Sequence, residues 1–255
     1  MMTNLLKMEW YKLRTSRLFI VLLAVTFILS LVIAAVVPII ATAIGSEITA
    51  ANLSDILSNP FSLGLLMLPV FISAASFMYL DFAGGYVKNI AGQLPDRGIL
   101  VFAKFIIIGV HNLIFFLIAA LGGVLGTALT QGIVVDAAVG AGLLTLALKW
   151  LLSMALCSIV MFFAVGLRNK TLAIIIAVVF ATNSLSLLYM GVDYGAATLL
   201  HAENFTTSNY LPDGLMGSVN AITGDLVVNA IVASAVFIGL FLWLTYMTFK
   251  KRDVK

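Results

Sequence analysis

Charge is scarce in this chain. Asp, Glu, Lys and Arg make up 10% of its 255 residues, against 62% hydrophobic residues and a mean hydropathy of +1.15. A soluble domain carries about 25% charged and about 45–50% apolar residues, and one core cannot hide this much apolar surface from water. The bilayer is the solvent that fits. Cysteine occurs once, as Cys157, which excludes an internal disulfide and a multi-cysteine metal site. Cys157 lies in an apolar run and reads as packing. Neither H-E-x-x-H nor any other metal-ligand cluster is present, so a metal centre is not expected. No two aspartates fall within the apolar runs, and no G-x-S-x-G accompanies His111, which argues against aspartyl and serine-type chemistry in the membrane. The phosphate-cradling G-x-x-x-x-G-K-[ST] is missing too. The chain is therefore expected to be no enzyme, to bind no cofactor and to have no nucleic-acid partner.

What is there is a set of long apolar runs. A span needs about 20 mostly apolar residues, because the hydrocarbon core is about 30 Å thick and a helix rises about 1.5 Å per residue. Six runs qualify: Leu18 to Ile40, Phe61 to Leu80, Ile99 to Leu125, Val139 to Leu167, Leu172 to Met190 and Leu226 to Phe249. The first is followed by Ala41-Thr42-Ala43, which looks like a signal-peptidase site, but a signal core is about 7–15 residues long. It reads as a retained helix.

The basic residues orient the spans. Lys7, Lys12, Arg14 and Arg17 precede span 1, while Lys88, Arg97 and Lys104 lie in or beside the link between spans 2 and 3. Arg168 and Lys170 join spans 4 and 5, and Lys250, Lys251, Arg252 and Lys255 follow span 6. Thirteen of the 14 basic residues thus fall on one side. The opposite loops, residues 41–60, 131–138 and 191–225, have none and hold seven acidic residues. The expected architecture is an all-α membrane protein of six transmembrane helices, with both termini in the cytoplasm. The expected organisation is residues 1–17 as an interfacial helix, 18–249 as the membrane domain and 250–255 as a cytoplasmic tail. An acidic extracellular segment covers 191–225.

Two stretches outside the runs are patterned. In MMTNLLKMEWYKLRTSR, Leu6, Trp10 and Leu13 recur at helical spacing while Lys7, Lys12 and Arg14 face elsewhere. With Tyr11 they make the signature of an amphipathic helix in the headgroup layer. In DFAGGYVKNIAGQLPDRG, residues 81–98, the apolar Phe82, Tyr86, Ile90 and Leu94 are spaced by four, and Lys88, Asn89, Gly92 and Gln93 occupy the rest. The spacing predicts a short amphipathic helix over about 81–95, opened by Asp81 at the positive end of its dipole and closed by Pro95.

Polar residues inside the runs are few. Lys149 is the one basic residue off the basic side, about 15 Å down span 4 from Val139. A lysine at such depth needs a partner or water, and it is read as facing a subunit interface or a translocation path. His111 and Asn112, about 18 Å into span 3, and Asn183 in span 5 can hydrogen-bond across helices. Gly122 and Gly126 form G-x-x-x-G, and Ala119 with Gly123 a second small pair, so close helix approach is expected. Pro69 is expected to loosen span 2.

Glu9, Tyr11, Lys12 and Leu13 near the start, with Asp81, Phe82, Gly85, Lys88, Pro95, Arg97 and Lys104 around the interlude, resemble the membrane subunits of bacterial type-2 ATP-binding-cassette exporters of peptides, lantibiotics and drugs. The family usually has Glu in place of Asp81 and Thr in place of Tyr86. The resemblance implies that the interlude is a coupling helix, with Asp81, Phe82, Gly85, Tyr86, Lys88, Asn89 and Arg97 docking onto a separate cytoplasmic ATPase. That ATPase, in two copies, would bind the ATP and Mg, and two permease copies, identical or not, would make the path. A path with few polar residues suits amphipathic peptides or lipophilic small molecules. The alternative is a stand-alone channel or secondary transporter, which calls for buried carboxylates or broken helices near the midplane in matching halves.

Overall fold

The structure is a computed structural model that describes residues 2–45, 50–58, 64–83, 98–200, 206–218 and 224–251. Among them the chain is almost wholly helical. Helix α1 (Met2–Thr15) leads into α2 (Arg17–Ala43) through the single residue Ser16, whose hydroxyl accepts from the Phe19 amide as an N-cap. A two-residue strand, Ala51–Asn52, and the short helix α3 (Leu53–Ser58) follow at the acidic end. Next come α4 (Met67–Ala83), entered by a 3₁₀ turn at Gly64–Leu66, and the long α5 (Ile99–Thr130). After a second strand, Ile133–Val134, α6 (Val139–Met161) ends in a π-helical turn over Phe162–Gly166. The rest is α7 (Lys170–Ala181), α8 (Ser186–Leu200), α9 (Pro212–Ser218) and α10 (Gly224–Lys251).

Five of these segments are long and apolar enough to cross a membrane: α2, α4 with its entry turn, α5, α6 with its π turn, and α10. The pair α7 and α8 makes a sixth, but bent by 66°. The sequence predicts one continuous helix from Leu172 to Met190, and here the structure differs. Asn183 adopts a left-handed conformation, φ +51°, which Asn tolerates better than most residues. The Thr182 hydroxyl bonds the Val178 carbonyl at 2.9 Å and Ser184 Oγ at 2.6 Å. Short polar side chains here offer the backbone an alternative to the helix ladder. Beyond the bend, α8 runs to Leu200, into the acidic segment expected over 191–225.

Pro69 also departs from expectation. It is the third residue of α4, where a missing amide costs nothing because first-turn amides have no helical partner. It opens the helix and does not hinge it.

The helices pack as close pairs: α2 on α5, α10 on α6, α4 on α7, with α1 lying across the basic end of α5. Glycine makes the first pair possible. A Cβ on Gly122 would lie 2.8 Å from the Phe27 carbonyl oxygen, and one on Gly126 would run into the Leu31 carbonyl. Ser30 Oγ crosses the seam to donate to the Ala119 carbonyl at 2.6 Å. The small-residue pattern of span 3 is therefore used against span 1. Of the five continuous spans, α2 and α10 are the least buried, with 11% and 17% of their most apolar stretches buried.

Candidate functional site at the basic end

Helix α1 buries Leu5, Glu9 and Leu13, spaced by four. This is one position off the stripe predicted from Leu6, Trp10 and Leu13. Leu6 packs partly against the core, but Trp10 is 41% exposed and Tyr11 68%. Lys7 and Arg14 are exposed on that side as well. The reason for the offset is Glu9, which an apolar count leaves out.

Glu9 is fully buried because two lysines meet it. Lys12 Nζ lies 2.9 Å from Glu9 Oε1, and Lys104 Nζ lies 3.1 Å from Glu9 Oε2. The same two lysines reach Asp81, Lys12 at 2.7 Å and Lys104 at 2.6 Å. Two carboxylates and two ammoniums thus alternate around a closed, neutral ring. Glu9, Asp81 and Lys104 are at most 1% exposed. Lys104 also sits 5.2 Å from the centre of the Phe77 ring, a favourable cation–π placement. Burial alone would lower the Lys12 pKa, but its hydrogen bonds to Asp81 and Glu9 outweigh that and raise it, so Lys12 is charged at neutral pH.

The three elements that meet here are far apart in sequence: α1, the last turns of α4 and the first turns of α5. Asp81 lies within α4, not at the start of a new helix as predicted. It spends its charge on two lysines rather than on a helix dipole. The predicted docking residues Gly85, Tyr86, Lys88, Asn89 and Arg97 lie outside the described residues, as does the side chain of Phe82. At the near edge of that stretch, Gly98 packs so closely on the Tyr246 ring that a Cβ would clash with it, which ties the start of α5 to α10.

The interior residues form a second constellation. His111 Nδ1 lies 2.9 Å from Asn112 Oδ1, and Nε2 lies 2.9 Å from Ser73 Oγ. An amide oxygen only accepts, so Nδ1 carries the proton and Nε2 accepts from the serine hydroxyl. The Asn112 amide nitrogen then donates to Ser153 Oγ at 3.2 Å and approaches Cys157 Sγ at 3.3 Å. This network joins α4, α5 and α6. Phe19 and Phe115 pack on the imidazole with ring centres at 5.3 and 4.7 Å.

Lys149 is fully buried, and its ammonium donates to the Ser58 carbonyl at 2.6 Å. Ser58 is the last residue of α3, so a cation meets the negative end of a helix. At the other end of α3, Asp136 accepts from the Ser54 amide at 3.1 Å and from its hydroxyl at 2.7 Å. Those bonds hold the Asp136 carboxyl below its ordinary pKa. Between the two anchors a Cβ on Gly142 would lie 2.7 Å from the Ser54 carbonyl oxygen. Lys149 therefore braces a short helix of its own chain. Asn183 forms the bend between α7 and α8 and borders a cavity of about 30 Å³ with Asp213 and Met216.

A family model described as ABC-2 family transporter protein matches residues 5–184. The match takes in α1, the four-charge ring, the interior network and the bend. The chain belongs to the ABC-2 transporter family. It is a multi-pass membrane protein of the cell membrane and the permease component of an ABC transporter, whose ATPase activity resides in a separate subunit. No curated protein matches the chain. Among the described residues no group of acidic, His and Cys side chains is arranged to hold a metal ion.

Sequence reasoning singled out Asp81 and Lys12 but missed the roles of Glu9 and Lys104. A signal was available. Glu9 is the one acidic residue before Glu47, and it sits four residues from Leu5 and from Leu13, in line with residues that must face the bundle.

Proposed function

We propose that this permease exports an amphipathic or lipophilic cargo, such as an antimicrobial or toxin-like peptide, a lantibiotic or a drug. ATP and Mg are bound by a separate cytoplasmic ATPase present in two copies. Two permease chains, identical or not, form the path between them, and the basic end faces the cytoplasm in accord with the positive-inside rule.

One observation carries the cargo class. The polar groups of the spans are spent inside the single chain: Ser73, His111, Asn112, Lys149 and Ser153 are buried and bonded there. What the spans present outward is apolar, as with Val21, Val25, Ile28 and Val32 on α2 and Val228, Val232, Val236 and Leu240 on α10. A path between two such bundles would be walled by aliphatic side chains, which give a hydrophilic solute no hydrogen bonds in exchange for its hydration.

The test is reconstitution. With its ATPase in liposomes, the permease should move a rhodamine-labelled amphipathic cationic peptide in an ATP-dependent way and leave labelled sucrose untouched. Co-purification of the ATPase should fail when Lys88 and Arg97 are both changed to Glu. Sucrose flux without ATP would instead make the chain a channel, and undiminished ATPase capture by the reversed-charge variant would move the docking site elsewhere.

A further inference from the structure

The coupling segment has two stems, α4 entering it and α5 leaving it, and the four-charge ring holds both. Asp81 is on the first stem and Lys104 on the second, and their side chains touch at 2.6 Å. Each also bonds α1, Asp81 through Lys12 and Lys104 through Glu9. Helix α1 is in turn joined to span 1 by one capped residue, Ser16. A displacement of the two stems therefore has a direct mechanical route through charge pairs to α1, and from α1 to α2, a largely unburied span.

We propose that Glu9, Lys12, Asp81 and Lys104 are positioning residues of the transport cycle: a charge clasp that makes α1 part of the transmission element, so that motion imposed on the coupling segment is delivered to span 1. This rests on the reading of the chain as an ATPase-driven permease. The alternative role, simple anchoring, explains the arrangement poorly. Burying four charges carries a desolvation cost that apolar side chains of similar size avoid, and such replacements are often neutral or stabilising. Leu5 and Leu13 already anchor α1 by burial. What ion pairs add over leucine is register: each carboxylate must face both lysines, so α1 cannot slide or rotate on the stems without breaking a pair. Fixing register is the best-attested use of buried charge.

The experiment uses the full chain with its co-expressed ATPase in nanodiscs. Tyr11, on the exposed side of α1 and outside the clasp, is changed to Cys and labelled with bimane; Cys157 is buried and stays in place. The signal is followed on adding MgATP and orthovanadate, which trap the closed ATPase. The expected result is a clear change in the parent. It should shrink about fivefold or more, the lower end of an allosteric coupling, when Glu9→Leu, Lys12→Met, Asp81→Leu and Lys104→Met are combined. Lys104→Arg, which keeps the charge, should retain the change. ATPase capture and hydrolysis should persist throughout, a pattern that loss of structure does not produce. Should the fourfold variant fail to insert, Glu9→Gln with Lys104→Met keeps one Lys–Asp pair and must show the same loss. A full signal change in the variant that inserts overturns the clasp. So does a parent that captures and traps the ATPase with no change at Tyr11. A parent that captures no ATPase at all overturns the permease reading on which the clasp depends.

Discussion

The two ends of this bundle handle buried charge in different ways. At the basic end, side chain meets side chain: four charges from three elements neutralise one another within 3.1 Å. At the acidic end, single charges meet the ends of one helix: Asp136 takes the Ser54 amide and hydroxyl, Lys149 takes the Ser58 carbonyl, and the helix dipole supplies the opposing partial charges. The first arrangement couples elements to each other and is intolerant of losing a member. The second holds one short element in place from its two ends. The difference suits a basic end proposed to transmit force and an acidic end that keeps a short helix seated.

The largest effect is expected where one charge leaves a closed ring. Lys104→Met strands Glu9 and Asp81 with one lysine between them. Removing one partner of a buried ion pair costs roughly 3–5 kcal/mol, so the variant should lose most of its yield or several degrees of thermal stability in detergent. Adding Glu9→Leu restores the charge balance, leaving Lys12 with Asp81, and should recover more than half of that loss. A double variant no more stable than Lys104→Met would show that the ring does not act as a unit and would erase the contrast between the two ends.

At the acidic end the same kind of change should stay local. Lys149→Met removes the donor to the Ser58 carbonyl but also removes a buried ammonium, so the bundle keeps its stability. The unmatched carbonyl costs about 1–3 kcal/mol, enough to loosen α3. Hydrogen exchange in α3 should quicken about tenfold for each 1.4 kcal/mol lost, while amides of α5 and α6 keep their protection. Global unfolding of this variant would make Lys149 a keystone of the bundle and not a brace.

The sequence made the spans legible because apolarity is a matter of composition over about 20 residues, which neighbours cannot disguise. The glycine seam was legible as a motif, but its partner helix was not, since G-x-x-x-G states only that something comes close. The bend at Asn183 was hidden because Leu172 to Met190 stays apolar on average; only the Thr-Asn-Ser run marked it. The ring was half visible. Lys104 reads as a flanking charge and Glu9 as a motif letter until the chain is folded, because pairing across 95 residues is a tertiary fact. The break in α7–α8 also meets part of what a secondary transporter would need, but among the described residues no second span is broken, and buried Asp81 lies at the basic end and not at the midplane.

The smallest expected effect concerns an acidic residue that belongs to neither arrangement. Asp213, on α9, is 4% exposed, and the Tyr189 hydroxyl donates to it from 3.3 Å. Burial pushes its pKa up from 3.8 to about 6, against the pull of that hydrogen bond. A carboxyl with a raised pKa in the folded state binds more protons there than in the unfolded chain between the two values. Stability therefore falls as pH rises from about 4 to about 6, and at pH 7 the folded protein carries the full cost of an ionised buried acid. Asp213→Asn keeps the shape and an acceptor for Tyr189 but cannot ionise. It should stabilise α9 at pH 7 by about 1–2 kcal/mol, a discounted share of a two-unit shift at 1.36 kcal/mol per unit, and make its exchange protection independent of pH between 4.5 and 7. If α9 in the parent is instead more protected at pH 7 than at 4.5, Asp213 is acting as a paired charge. The acidic end would then hold a third anchor, and its contrast with the basic end would narrow.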